Sequence, residues 1–170
     1  FAGSGSLTVG VEEADFVLMM LPGGGSSSVL TAEYNSGNYL TQKPQIWKKK
    51  KFTLTNTLLA QTLTLGLNLR IEGSTLSGLP ITSMELVVYN ITECGGEAIG
   101  DPIYYDLNES VYDELVAKYI NPTVGDLLEM ANLSLADAYV PAMYQPSLSD
   151  ISDAVTTINE AFDECRIGSF

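Results

Sequence analysis

The chain has 170 residues, 45% of them hydrophobic, which suits one domain with a sizeable core. It carries 21 acidic and 8 basic side chains, net −13, a balance that disfavours nucleic acid and anionic membrane surfaces as partners. Without histidine, Ser-His-Asp and Cys-His catalysis and His-ligated zinc or haem are excluded, and two cysteines cannot build a four-cysteine metal site.

The charge is unevenly placed. Residues 1–84 hold 5 acids and 6 bases, whereas residues 85–170 hold 16 acids and 2 bases. The expected organisation is one module over 1–170, near-neutral in its first half and acidic and helical in its second. No apolar run approaches the 18 residues of a membrane span, and no secretory leader is legible at Phe1–Ser6.

In chain order, Glu12–Leu21 is predicted to be a short helix. Ala14, Val17, Leu18 and Leu21 share one face, and Pro22-Gly23-Gly24-Gly25 stops it. Residues 31–44 have no period and read as a long loop. Leu63, Leu65, Leu67 and Leu69 alternate with polar residues in strand fashion. The run from Asn56 to Arg70 is nevertheless long for a strand, its Leu, Ala and Gln favour helix, and Thr55-Asn56-Thr57 offers a cap, so helix is preferred. Met84–Tyr89 reads as a strand. Asn108–Ile120 is expected to be a helix burying Val111, Leu115, Val116 and Tyr119. Thr123…Asp126 and Ser147…Asp150 match the capping-box pattern. The helix from Thr123 presents Val124, Leu127, Leu128, Ala131 and Leu135. The last helix presents Leu148, Ile151, Val155, Ile158, Phe162 and Cys165 as one seam. The fold class expected is mainly α with a minor β element, an α+β arrangement with long Gly/Ser-rich loops.

Few residues invite chemistry. Cys94 follows the predicted strand at a Gly-Gly turn and Cys165 lies on the last seam. A disulfide is the favoured reading and would stabilise by roughly 4 kcal/mol on the loop-entropy model. Free core thiols, or a reactive thiol beside Arg166, are the alternatives. Trp47-Lys48-Lys49-Lys50-Lys51 is a candidate interaction segment for an acidic surface or for the acidic half of another copy. The Gly/Ser run after Pro22 lacks the Gly-Lys-Ser/Thr ending of a phosphate loop. Asp101, Asp106 and Glu109 would meet in a loop if calcium were held there, but the EF-hand pattern is missing, and neither a metal nor another cofactor is expected. Asn-x-Ser/Thr sequons occur at Asn90, Asn108 and Asn132, where chance alone gives roughly one or two, so they carry no usable signal.

Three blocks carry a resemblance. They are Asn56–Asn68, then Thr123-Val124-Gly125-Asp126-Leu127-Leu128 with Ala131-Asn132, then Ile158–Arg166 with its Asp163-Glu164-Cys165-Arg166 ending. With Leu21–Gly25 upstream, this order resembles a domain of large secreted surface proteins of Bacteroidota, of the type IX secretion cargo type. The resemblance implies an extracellular, non-enzymatic module and a helical first block. Members of that family often carry a Cys- and Trp-containing stretch upstream and a further cysteine after the last block. The resemblance therefore implies that 1–170 is a piece of a longer chain.

The function expected is a non-enzymatic structural or adhesive surface module, extracellular or at the cell surface, with no catalytic residue. Its expected partners are other copies, in a homo-oligomer or filament, other surface proteins, or surface polysaccharide. The alternative is a carbohydrate-binding or carboxylate-dependent glycoside hydrolase domain using acidic side chains with Trp47, Tyr104, Tyr105 and Tyr144.

Overall fold

Ser147 and Asp150 close a capping box that starts the helix on which much of the molecule packs. The Ser147 hydroxyl accepts from the Asp150 amide, and the Asp150 carboxylate accepts from the Ser147 amide at 2.8 Å. The computed structural model describes residues 6–7, 14–21, 23–31, 33–34, 47–48, 53–70 and 74–170. Its elements are β1 (Ser6–Leu7), α1 (Ala14–Met20), β2 (Glu33–Tyr34), β3 (Trp47–Lys48), β4 (Thr53–Leu54), α2 (Thr57–Asn68), β5 (Glu85–Ile91), β6 (Ala98–Asp106), α3 (Glu109–Lys118), α4 (Val124–Leu135), α5 (Leu148–Ala161) and β7 (Ile167–Ser169). The result is a mixed α+β fold, as its class was expected to be.

α2 settles the Asn56–Arg70 ambiguity in favour of helix. Its buried residues are Leu58, Leu59, Ala60, Thr62, Leu65 and Gly66, most of them at a helical spacing hidden inside the leucine alternation, while Leu67 turns outward. Asn56 is the N-cap. Its side chain accepts from the Leu59 amide and donates to the Ser28 carbonyl at 2.6 Å, which pins the Gly/Ser loop to the helix start. α1 is described over Ala14–Met20, and Glu12 and Glu13 of the expected helix lie outside the described residues. It buries Val17 and Met20 and leaves Leu18 outside, so the expected face is rotated.

α5 packs against α2, α3, α4 and β6. Asn159 donates to the Gln61 carbonyl and side chain, and Asn108 donates to Asp150, so polar links register α5 on α2 and on the start of α3. The seam ends earlier than expected. Ile151, Val155 and Ile158 are fully buried, but the helix stops at Ala161, and Glu164 adopts φ 54° in the 3-10 turn Asp163–Cys165. Phe162 is the C-cap and only half-buried. Ile158→Ala is therefore expected to cost about 2–5 kcal/mol, and Phe162→Ala less than Ile158→Ala, because part of the ring already faces water. Urea unfolding of the two variants checks the order.

The β component is larger than expected. β5 is the centre of a three-stranded antiparallel sheet of order β6-β5-β7, with Leu86 and Val88 buried on its inner face. β6 was not expected from sequence, because Gly100, Asp101 and Pro102 sit inside it. These residues suit an edge strand, and the register against β5 shifts where they occur, between Val88 and Asn90, with Gly100 at φ 73°. β7 needs its glycine: a Cβ on Gly168 would collide with the Val87 carbonyl and the Val88 side chain. Two short ladders lie in the first half, β1–β2 parallel and β3–β4 antiparallel. β2 falls in the stretch expected to be loop, most of which lies outside the described residues. The buried core runs from Val17 to Ala161 and draws on both halves of the chain.

Candidate functional site

α3 buries Val111, Glu114 and Leu115, an i, i+3, i+4 set with a carboxylate in the middle. The expected face named Val116 in its place, yet Val116 is 48% exposed. Glu114 is fully buried and accepts four hydrogen bonds. Oε1 takes the Tyr139 hydroxyl at 2.7 Å and the Ala142 amide at 2.6 Å. Oε2 takes the amides of Met143 at 3.0 Å and Tyr144 at 2.8 Å. Burial alone pushes this carboxyl up. The three backbone amides and the Tyr139 hydroxyl outweigh burial and hold it below the usual carboxylate range. Burial, and then the contact with Glu114, raise the Tyr139 hydroxyl well above its ordinary value, so it stays a proton donor. With two donors on each oxygen, Glu114 is an ionised anchor for backbone and not a proton shuttle.

What it anchors is the irregular connection between α4 and α5. The end of α4 sets the direction of this segment. Ala138 donates to the Leu133 carbonyl and Asp137 to that of Ser134, a Schellman ending with Asp137 at φ 54° in the place glycine usually takes. Lys118 then lies 4.0 Å from the Tyr139 ring centre and donates to the Val140 carbonyl at 2.8 Å. The backbone of Tyr139–Tyr144 is thus held at several points from one side, by α3. The other side faces water: Val140 and Met143 are each 74% exposed and Tyr144 37%. These side chains form an exposed apolar ridge on a fixed backbone. The signal for Glu114 was present in the sequence, since it falls at the i+3 position between two core residues. Its charge argued the other way.

The residues singled out from sequence are not gathered into one site. Trp47 and Lys48 form β3, with side chains outside the described ones, and Lys49–Lys51 lie outside the described residues altogether. Cys94 is exposed in the β5–β6 turn, where Gly96 donates to the Glu93 carbonyl and Gly95 takes φ 86°, and it is not a free thiol. Cys165 ends the 3-10 turn after α5 instead of extending the helical seam, and its side chain lies outside the described ones. Asp101 and Asp106 belong to β6 and not to a loop. Among the described residues no three carboxylates or thiols converge into a set that could hold a metal. Tyr104 and Tyr105 are consecutive in β6 and so point to opposite faces. Tyr104 is 60% exposed, and the Tyr105 hydroxyl accepts from Arg166 at 3.3 Å. Arg166 also donates to Asn90 and to the Glu160 carbonyl, tying β5, β6 and the end of α5 together.

Among the described residues no helix is long and apolar enough to cross a membrane. Comparison of the chain with protein-family models, with curated proteins and with solved structures returns no match.

Proposed function

We propose that this chain is a non-enzymatic extracellular module, structural or adhesive, that works by associating with other copies of itself at the cell surface. The observation that carries this reading is the ridge of Tyr139–Tyr144, where a buried carboxylate fixes a loop that displays large apolar side chains to water. Fixing a loop in advance reduces the ordering cost of binding, so such an arrangement favours association. The charge division supports the same reading: a half with 16 acids and 2 bases attracts a half that carries Lys48–Lys51. The alternative, carbohydrate binding, has Tyr104 on the exposed face of β6 in its favour, and glycan binding that is lost in Tyr104→Ala would support it.

A second element of the proposal is a disulfide between Cys94 and Cys165. In support, the β5–β7 ladder runs to the Tyr89–Ile167 pair, and the 3-10 turn Asp163–Cys165 just before β7 packs on β5, the strand that leads into the turn carrying Cys94. Such a bond fits an oxidising, extracellular setting.

Sedimentation velocity tests the assembly reading. The native chain is expected to self-associate at low salt and less so at high salt. Reversing Lys48–Lys51 to glutamate is expected to weaken association markedly and to leave the circular dichroism spectrum unchanged. A native protein that stays monomeric at high concentration in low salt overturns the reading.

A further inference from the structure

We infer that the outer face of the β6-β5-β7 sheet receives the lysine-rich segment 47–51 of a second copy. The inference rests on the assembly reading above and names the surface that takes up the lysines.

The strand register sets the face. Glu85 lies opposite Asp106, Val87 opposite Tyr104 and Tyr89 opposite Ile167, all on the side turned away from the buried Leu86 and Val88. Tyr104 is 60% exposed and Ile167 41%, with Val87 and Tyr89 half-buried between them. At one end of this apolar strip stand the two carboxylates, both exposed. The Leu107 amide donates to the Met84 carbonyl, so the Glu85–Asp106 pair lies between ladder bonds, where opposed side chains come closest. Like charges directly opposite destabilise a sheet. Among the described residues no base offsets this pair. The two bases of the second half are engaged elsewhere, Lys118 with Tyr139 and Val140, and Arg166 with Glu164, Asn90 and Tyr105.

An occupant of this face must therefore be cationic and must bring apolar area. The chain holds a segment of that composition, Trp47-Lys48-Lys49-Lys50-Lys51 followed by Phe52. Lysine ammonium groups placed between Glu85 and Asp106 relieve their repulsion, and one over the Tyr104 ring gains a cation–π contact. The lysine stems cover the strip beside them, which adds burial that screened charge alone lacks. The register pairs Lys48 with Thr53, so four residues, 49–52, join β3 to β4. β4 packs on α1 and α2, whereas β6 packs on α5. Donor segment and receiving face thus belong to different parts of one molecule. The contact is heterologous and closes into a ring or continues as a filament.

The test uses full-chain variants in sedimentation velocity at low salt, each checked for folding by circular dichroism. A face variant carries Glu85→Lys and Asp106→Lys. A control carries Asp153→Lys and Glu160→Lys, exposed positions of α5, with the same change in net charge. A segment variant carries Lys49→Glu, Lys50→Glu and Lys51→Glu. The face and segment variants are each expected to associate at least about tenfold more weakly than the native chain, and the control is not. An equimolar mixture of face and segment variants is expected to regain association, because native lysines meet a native face in one contact and reversed charges meet in the other. Tyr104→Ser leaves every charge in place and is expected to weaken association at least about twofold. It decides the matter should the face variant fail to fold, and unchanged association in it then overturns the inference. A face variant that associates like the native chain, or a control weakened equally, overturns the inference and leaves the assembly reading standing. A mixture that stays monomeric although each variant alone has lost association shows that the two surfaces do not meet, and the inference fails by itself. A native chain that is monomeric throughout removes the assembly reading and the inference together.

Discussion

Glu114→Ala is expected to lower the free energy of unfolding by about 3–5 kcal/mol, the range for removing one member of a buried charge-assisted network. The substitution removes the acceptor for three amides and one hydroxyl while the surrounding structure still keeps water from the site. Glu114→Gln separates charge from shape. Its amide group must present a donor to at least one pair of donors, so it too is expected to destabilise, though by less. Equilibrium urea unfolding checks both. The same network predicts a pH dependence. The carboxyl of folded Glu114 is held below its ordinary value of 4.5, so its contribution is present above that pH and is lost as pH falls through the lowered value. Asp150 acts in the same direction, its carboxyl lowered by the Ser147 hydroxyl and amide and by Asn108. Acid unfolding of Glu114→Ala is therefore expected to show a smaller loss of stability below pH 4.5 than the native chain shows.

Cys94→Ser is expected to cost about 4 kcal/mol if the proposed bond to Cys165 closes the loop between them. Cys165→Ser should cost the same, and the double variant no more than either, because one bond is lost in all three. Mass spectrometry of an unreduced digest checks the pairing directly, since the peptide containing Cys94 should carry the peptide containing Cys165. The β5–β7 register makes the pairing testable from another side. Gly168→Ala, which forces β7 away from Val87, is expected to raise the reducibility of the bond.

Legibility in the sequence followed the locality of the physics. The α4 and α5 starts were readable because a capping box is a contract between residues three apart, Thr123 with Asp126 and Ser147 with Asp150, and both are formed. α2 was readable from composition and length although its leucines alternate, because the buried set at Leu58, Leu59, Thr62 and Leu65 obeys the helical period. β6 was not readable. Gly100, Asp101 and Pro102 are poor strand formers, and they are tolerated only because the strand lies at an edge with an irregular register, a fact about its neighbour β5. β7 was hidden for the same reason: three residues gain a strand only by pairing with β5. The Glu114 anchor was missed because the donors that make a buried carboxylate acceptable come from 25 to 30 residues further along the chain. The end of α4 also lacked its usual marker, since Asp137 occupies the glycine position of the Schellman ending.

Association through Tyr139–Tyr144 requires this segment to be a fixed surface and not an ordinary mobile loop. Native-state hydrogen exchange measures this at three amides, those of Ala142, Met143 and Tyr144, which lie in a segment without helix or strand and yet donate to Glu114. Protection of these amides comparable to that of the α4 interior, lost in Glu114→Gln while the α4 amides keep theirs, is the expected result. Exchange of the three amides at the rate of an unstructured chain in the native protein would contradict it.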